Sequence, residues 1–373
     1  MNTKMKDCGF APTVAIPPGE TIREMIDARG MNQAQLSARM GRPERLVSNL
    51  LSGKVAVTPE TACQLEAVLG PSAEFWMNLE YAYQLDQARI AERQRIEEDC
   101  KLRFPYNEMA KLGWVPAVRD RFEQVRNLRV FFNVASLQCV QEVQALAWRK
   151  AQSKTDVLPE AVAAWLRRGE VLAEKAAVRT YDADKFENAI ATLRTLTMSA
   201  DLTEMRKTCA QCGVVLLFVP PLKKTHVCGV ARWISDRRPV IQLTNRGRYE
   251  DILWFTLFHE CAHILRHPRK VFLDIEDGSD SDTPQESTAQ RREKDADTFA
   301  QETLIPAMHY TRFVASGNLS AQAVRDFAIR QEIAPAIVVG RLLREGIVRY
   351  GSREHQRLMG LRRRFTGHPS EGI

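Results

Sequence analysis

The chain has no apolar run close to the roughly 18 residues that a membrane-spanning helix needs. Its first residues also lack the apolar stretch of a secretory signal peptide, so we expect a cytoplasmic protein with no membrane partner. The eight cysteines are scattered, which does not fit the regular spacing of a disulfide framework. Cys209-Ala-Gln-Cys212 has no second CxxC pair, and we interpret it as core packing where a helix ends before a strand.

The sequence has enough hydrophobic residues to form a core, and it has an excess of positive charge. Of its 373 residues, 45% are hydrophobic, which is ordinary for a globular protein with a real core. This length allows two or three domains of about 150 residues each. The formal net charge of +7 favours a polyanionic partner.

The most informative stretch is His259-Glu260-Cys261-Ala262-His263, inside an apolar run. On an α-helix, residues four apart lie one above the other, so the two histidines project from one face with side chains roughly 5–6 Å apart. Both imidazoles can then bind one zinc ion at about 2.0–2.1 Å. Glu260 lies beside the metal, where it can take a proton from the attacking water. The alternative is two histidines on a buried helix, but such a helix should not carry polar groups without partners.

A tetrahedral zinc ion with one open position needs one more protein ligand. His267 continues the series of residues four apart. However, eight residues at about 1.5 Å each place it about 12 Å along the helix axis from His259, too far for one ion to be held by all three histidines.

We expect the third ligand to be Glu293, on an amphipathic helix that Pro306 closes. Asp297 lies one turn later on the same face and would orient a ligand imidazole through its second ring nitrogen. Asp295 stays open as a substitute ligand. The alternative is that these carboxylates form a solvated acidic face.

The two motifs together, His259-Glu260-x-x-His263 and Glu293-x-x-Ala296-Asp297-x-Phe299-Ala300, resemble the ImmA/IrrE family of zinc metallopeptidases. The resemblance covers roughly residues 200 to 345. It implies that His259, His263 and Glu293 bind zinc and that Glu260 is the general base.

Near the N-terminus, the hydrophobic pattern predicts a series of short helices. Asn32 stands at an N-cap position, and Gly41 at a tight turn between two of the helices, as in a helix-turn-helix. A small helical bundle without DNA-binding function is the alternative. The predicted helices are Glu20–Arg29, Gln33–Met40, Glu44–Ser52, Pro59–Leu69 and Ala73–Glu97.

The third of these helices should read the DNA. Its apolar residues, Leu46, Val47, Leu50 and Leu51, form an inward face. Its outward residue types contact base edges in known complexes, and residues at the helix ends suit phosphates. The predicted DNA-contacting residues are Gln33, Arg42, Glu44, Arg45, Ser48, Asn49 and Lys54.

Several short motifs over about residues 15–90 resemble the HigA-type antitoxin branch of the Xre helix-turn-helix family. These are Pro18-Gly19-Glu20-x-Ile22-Arg23, Gln33-x-x-Leu36, Ser52-Gly53-Lys54, Thr58-Pro59-Glu60-Thr61-Ala62 and Phe75-Trp76-x-Asn78-Leu79. The resemblance implies a homodimer that binds double-stranded operator DNA with its third helix in the major groove, and that also binds a co-encoded toxin. Pro43 departs from the family, which usually has a small hydroxyl residue where this helix begins.

The segment before the zinc helix contains both helical and strand patterns. Helices are predicted over Val140–Gln152, Glu160–Lys175 and Asp184–Thr195, and strands over Val214–Val219, Val227–Ile234 and Val240–Leu243. The edge of a sheet placed there can hold an extended peptide across the metal. His226, His309 and Tyr310 are candidates for stabilising the oxyanion, although a structural role suits each of them better.

Beyond the zinc helix, we expect a loop near the site at the acidic stretch Asp274–Asp282. The helices Ser320–Arg330 and Pro335–Glu345 resemble those that commonly follow this peptidase domain, so we expect them to pack there and not to read DNA. The basic run Arg357–Arg364 is expected to be solvated or to contact phosphate.

The predicted fold class is α+β and mostly helical. It comprises an all-α helix-turn-helix domain at 1–97, a helical connecting region at 98–200, and a zincin-like domain at 201–373 with a small sheet and the HExxH helix. Two functions stay open. The protein is a DNA-binding regulator of the antitoxin type whose zinc domain acts as sensor, scaffold or toxin-binding module, or it is a protease that its DNA-binding domain directs to a repressor or partner protein.

Overall fold

The computed structural model describes residues 13–140, 156–244, 249–267, 272–275 and 288–364. The protein is mostly helical with one small sheet, as predicted. It divides into two compact units, Met1–Lys101 and Leu102–Ile373. The finer division into 1–97, 98–200 and 201–373 stays a prediction. No helix among the described residues is both long and apolar enough to cross a bilayer.

Over its described residues the first unit is helical, and the five helices found there confirm the predicted ones to within a residue or two at each end. Their apolar faces form one core around the fully buried Trp76 and Leu65. The helices are α1 (Pro18–Ala28), α2 (Gln33–Met40), α3 (Glu44–Leu51), α4 (Pro59–Leu69) and α5 (Ala73–Asp99).

The turn between α2 and α3 is defined by local hydrogen bonds. Asn32 Oδ1 accepts from the backbone N–H of Gln35, and the Gln35 side chain accepts from the backbone N–H of Asn32, both at 2.9 Å. This capping box begins α2, and Gly41, with a φ of 64°, ends it in the left-handed conformation that glycine adopts readily. Pro43 precedes α3 and makes no side-chain cap bond.

The second unit holds the sheet. Its elements are α6 (Tyr106–Lys111), α7 (Arg121–Phe132), α8 (Pro159–Lys175), α9 (Ala183–Thr195), α10 (Leu202–Gln211), β1 (Val215–Phe218), β2 (Val227–Ser235), β3 (Arg238–Leu243), α11 (Glu250–Arg266), β4 (Phe272–Ile275), α12 (Thr288–Leu304), α13 (Ala307–Ala315), α14 (Ala321–Arg330), α15 (Pro335–Arg344) and α16 (Arg353–Leu358). The predicted helix Val140–Gln152 lies almost wholly outside the described residues.

Cys209 and Cys212, at the end of α10, are buried, as expected for core packing.

The four strands are ordered β1-β3-β2-β4. β1 runs parallel to β3, whereas β2 runs antiparallel to both β3 and β4. β4 is a fourth strand that the sequence did not predict. The expected loop Asp274–Asp282 is therefore wrong for Asp274 and Ile275, which pair with β2. Residues 276–282 lie outside the described residues.

One face of the sheet is covered by α8. Gln242 of β3 donates to the backbone carbonyl of Trp165 at 2.8 Å, and the Trp165 indole N–H donates to Val219 O at 3.1 Å. Arg232 of β2 is 3% exposed and pairs with Glu170 of α8 at 2.9 Å. Because residues of a strand alternate between the two faces of a sheet, Gly229 and Ala231 lie on the face opposite to Arg232 and α8.

That opposite face packs against α11, the helix with the HExxH sequence. α11 contacts β2, α12 and α15, and it is buried on nearly every side. α15 is buried as well, which confirms that the C-terminal helices pack on this unit.

The first turn of α11 is held by the segment after α16. The guanidinium of Arg362 donates to both carboxylate oxygens of Asp251, with bonds of 3.0 and 2.9 Å, and both side chains are buried. A Cβ at Gly340 of α15 would overlap Asp251, so this close packing requires glycine. The expectation that Arg357–Arg364 is solvated is therefore wrong for Arg362.

Candidate functional site

α11 brings the two predicted imidazoles together inside the second unit. His259 and His263 lie one turn apart, and their Nε2 atoms are 3.0 Å from each other. They are 4% and 1% exposed. At this distance the two nitrogens can share an N–H···N hydrogen bond or bind one cation together.

α12 adds the carboxylate. Glu293 Oε2 lies 3.2 Å from His259 Nε2 and 3.6 Å from His263 Nε2. Ligands about 2.0–2.1 Å from a tetrahedral zinc ion are about 3.3 Å from one another, so these spacings suit zinc. In the part of the chain that the structure describes, this is the one group of three or more His, Cys, Asp or Glu residues that could hold a metal.

The protonation state of His263 suits a ligand. Burial lowers the pKa of its imidazole to about 4, although hydrogen bonding to Glu293 acts in the opposite direction. His263 is therefore neutral near pH 7 and keeps a nitrogen lone pair for a metal.

A second carboxylate orients His259. Asp297 Oδ1 lies 2.9 Å from His259 Nδ1, the ring nitrogen that points away from Glu293. Arg344 of α15 donates to the other oxygen of Asp297 at 3.2 Å, and its guanidinium lies 4.2 Å from the centroid of the Phe255 ring. Asp297 thus links His259 to a C-terminal helix.

Asp295, the proposed substitute ligand, lies elsewhere. It pairs with His267 at 3.2 Å and with Arg266 at 3.2 Å. His267 in turn faces the Nδ1 atom of His263. The structure therefore places Glu293, and not Asp295, beside both histidines of the motif.

Glu260 is fully buried on the side of α11 that faces β2. A Cβ built on Gly229 would lie 2.7 Å from Glu260 Oε1 and 2.6 Å from Thr256 Cγ2. The Glu260 carboxylate therefore occupies space that any side chain at position 229 would fill. Sequence reasoning missed Gly229, although a glycine inside an apolar strand pattern indicates a close approach of this kind.

The three candidates for stabilising an oxyanion have other partners. His226 pairs with Asp156 at 3.3 Å, and His309 hydrogen-bonds to Gln331 at 2.8 Å. The buried Tyr310 ring lies under Arg341, 4.0 Å from its guanidinium carbon. These contacts favour the structural interpretation of all three.

In the first unit, the third helix presents the predicted face. Val47, Leu50 and Leu51 are buried and Leu46 is half-buried, whereas Glu44, Arg45, Ser48 and the following Lys54 are exposed and Asn49 is half-buried. Glu44 lies in the first turn of α3, where a carboxylate stabilises the helix dipole.

Two of the predicted DNA contacts have partners inside this unit. Arg42 pairs with Glu60 at 2.6 Å and donates to Gln64 at 3.0 Å, so its guanidinium ties the start of α3 to α4. Gln33 donates to the backbone carbonyl of Glu44 at 3.3 Å and so bridges α2 and α3.

Comparison with protein families gives one match for each unit. Residues 22–76 match the helix-turn-helix family HTH_3. Residues 210–325 match the peptidase M78 family, described as an IrrE N-terminal-like domain.

Two curated proteins are similar to the N-terminal part. The uncharacterized HTH-type transcriptional regulator YddM of Escherichia coli (strain K12) is 37% identical over 71 residues, which are 19% of this chain and 76% of that protein. Antitoxin HigA-1 of Vibrio cholerae is 34% identical over 88 residues, 23% of this chain and 79% of that protein.

Two solved structures are similar to short parts of this chain. An addiction module antidote protein of a HigA family from Coxiella burnetii is 32% identical, with a TM-score of 0.21, over 22% of this chain and 92% of its own. The Pseudomonas aeruginosa antitoxin HigA with higBA promoter is 28% identical, with a TM-score of 0.22, over 23% of this chain and 94% of its own. The family matches and the curated relatives show that the chain belongs to the helix-turn-helix regulators that include HigA antitoxins. They also show that it carries an IrrE-like M78 peptidase domain in its C-terminal unit.

Proposed function

We propose that this protein is a cytoplasmic DNA-binding regulator of the antitoxin type whose C-terminal unit is a zinc metallopeptidase. The observation that carries the proposal is the convergence of His259, His263 and Glu293, with ligand atoms 3.0 to 3.6 Å apart, next to the buried Glu260. A solvated acidic face does not account for a carboxylate aimed at two buried imidazoles.

The donor set fits zinc, because two neutral imidazoles and one carboxylate are a common catalytic zinc site. Zinc held there would supply Lewis-acid polarisation of the scissile carbonyl. Glu260 takes the proton of the attacking water and passes it to the leaving amine. Asp297 holds His259 in the tautomer whose Nε2 carries the lone pair that would bind the metal. Packing of α11 against β2 keeps bulk water away from Glu260, and Gly229 provides the room for its carboxylate.

The N-terminal unit supports operator binding, and the resemblance to HigA-type regulators implies that it binds as a homodimer. α3 presents Arg45 and Ser48 outward, with Asn49 at the edge of the same face, and these residue types hydrogen-bond to base edges in the major groove. Lys54 follows the helix at a position suited to a phosphate. The net charge of +7 agrees with a polyanionic partner.

For the C-terminal unit, two roles follow from the same site. In the first role, the regulator represses its own operon and neutralises a co-encoded toxin, and the zinc domain acts as sensor, scaffold or toxin-binding module. In the second, the protein is chiefly an endopeptidase that cleaves a repressor or partner protein, with the helix-turn-helix as a targeting module. The second role is favoured by Glu260, because a purely structural zinc site needs no general base.

The ligand set can be tested by metal analysis. We expect one zinc ion per chain in protein purified without added metal. Glu293→Gln should weaken zinc binding by at least about 100-fold, since a ligand is lost. Glu302→Gln is the matched control, because this exposed glutamate lies on the same helix and caps the next one through Ala307. Full zinc content and affinity in Glu293→Gln would refute the ligand assignment.

The space that Gly229 leaves for the Glu260 carboxylate can be tested by peptide hydrolysis. Gly229→Ala should displace the Glu260 carboxylate and lower the hydrolysis of a fluorogenic peptide library about 100-fold, because a shift near 1 Å is enough to misplace a general base. Zinc content should not change. Gly360→Ala is the control, since a Cβ there meets no atom within 4 Å. Unchanged hydrolysis in Gly229→Ala would argue against this packing around Glu260.

DNA reading can be tested with Arg45→Ala on DNA from upstream of the protein's own gene. A lost base contact should weaken specific binding roughly 10-fold or more, measured by fluorescence anisotropy at fixed salt. Arg89→Ala, an exposed arginine on α5 that pairs with Asp86, should bind as the wild type does. If both variants lost the same affinity, α3 would not be the reading helix.

A further inference from the structure

Beyond the proposed ligands, the structure brings a third histidine to the centre on the Nδ1 side of His263. His267 follows the last residue of α11, one turn after His263. Its Nδ1 lies 2.8 Å from His263 Nδ1, the nitrogen that does not face Glu293. On its other side, His267 Nε2 lies 3.2 Å from Asp295 Oδ2.

The direction of these hydrogen bonds is fixed by chemistry. If His263 binds a metal through Nε2, its proton must be on Nδ1. His263 Nδ1–H then donates to His267 Nδ1, which must be the acceptor. Neutral His267 therefore carries its proton on Nε2 and donates it to the Asp295 carboxylate. Every ring nitrogen in this chain of bonds then has a suitable partner.

This arrangement matches the one at the other histidine. His259 Nδ1 contacts Asp297 directly, whereas His263 Nδ1 reaches Asp295 through one additional imidazole. Both carboxylates come from α12, where Asp295 and Asp297 follow the metal-facing Glu293 in sequence. The His267 side chain is 7% exposed and the His263 side chain 1%, so water competes little for the bond between them.

We propose that His267 and Asp295 are positioning residues, which together form a relay that fixes the tautomer and orientation of His263. The proposal rests on zinc binding by the site. His267 is not a fourth ligand in this proposal. Its Nδ1 faces His263 Nδ1, whereas the proposed metal is bound through His263 Nε2.

The test is a double-mutant cycle on zinc affinity in the full chain, measured by competition with a chromophoric chelator. His267→Phe keeps the ring volume and removes the acceptor, and it should weaken zinc binding about 10- to 100-fold, as loss of an outer partner does. Asp295→Asn should weaken it less. In the His267→Phe background, Asp295→Asn should have no further effect, because Asp295 acts only through His267. Asp297→Asn should still weaken binding in that background, since it acts on His259.

Two control variants separate the relay from its surroundings. Arg266→Gln removes the other ion pair of Asp295 and should leave zinc affinity unchanged. His309→Phe makes the same substitution at an exposed histidine on α13. The d–d spectrum of the cobalt-substituted protein should change in His267→Phe and in neither control, because it reports the geometry of the ligands.

The outcomes are distinct. Wild-type zinc affinity in His267→Phe, or additive effects of His267→Phe and Asp295→Asn, would overturn the relay while leaving the zinc site in place. No zinc binding by the wild type would instead overturn the proposed function. If His267→Phe does not fold, Asp295→Asn is the milder variant, because Asp295 is the more exposed of the two positioning residues. Wild-type zinc affinity and a wild-type cobalt spectrum in Asp295→Asn would then overturn the proposal.

Discussion

The second unit depends on one constraint, which is that a helix buried on nearly every side carries two imidazoles and a carboxylate. Polar groups out of water are costly unless they have partners. α12 supplies partners for the imidazoles, since Glu293 faces both histidines and Asp297 supports His259. The same contacts that satisfy the buried imidazoles also bring their nitrogens and Glu293 together as the proposed metal centre.

The position of α11 is in turn set by its neighbours. The ion pair between Asp251 and Arg362 holds the first turn, and Gly340 lets α15 approach the same carboxylate. At the other end, Gly229 lets β2 lie against Glu260. Arg344 connects α15 to Asp297 and so to His259. The C-terminal helices are therefore part of the framework of the site.

The sequence predicts the residues of the centre better than it predicts what supports them. Spacing of four residues brings His259 and His263 together, because the distance between them is fixed by the helix itself. The capping box at Asn32 and the faces of α3 are local in the same sense. Arg362 and Gly340 contact Asp251 across a long stretch of chain, and nothing local indicates which carboxylate they meet. Pairing of β4 with β2 was missed for a related reason, since register between distant strands is a tertiary property.

The central claim is that the zinc centre works as a peptidase inside a DNA-binding regulator. The most direct test compares wild type with Glu260→Gln in cells that carry the native operon, and follows operator repression, toxin neutralisation and cleavage of repressor or toxin together. The account predicts that Glu260→Gln keeps its zinc and its operator binding but loses a cleavage event that changes operon output. If Glu260→Gln represses, neutralises and cleaves as the wild type does, the centre is structural or sensory, and its assignment as a peptidase is wrong.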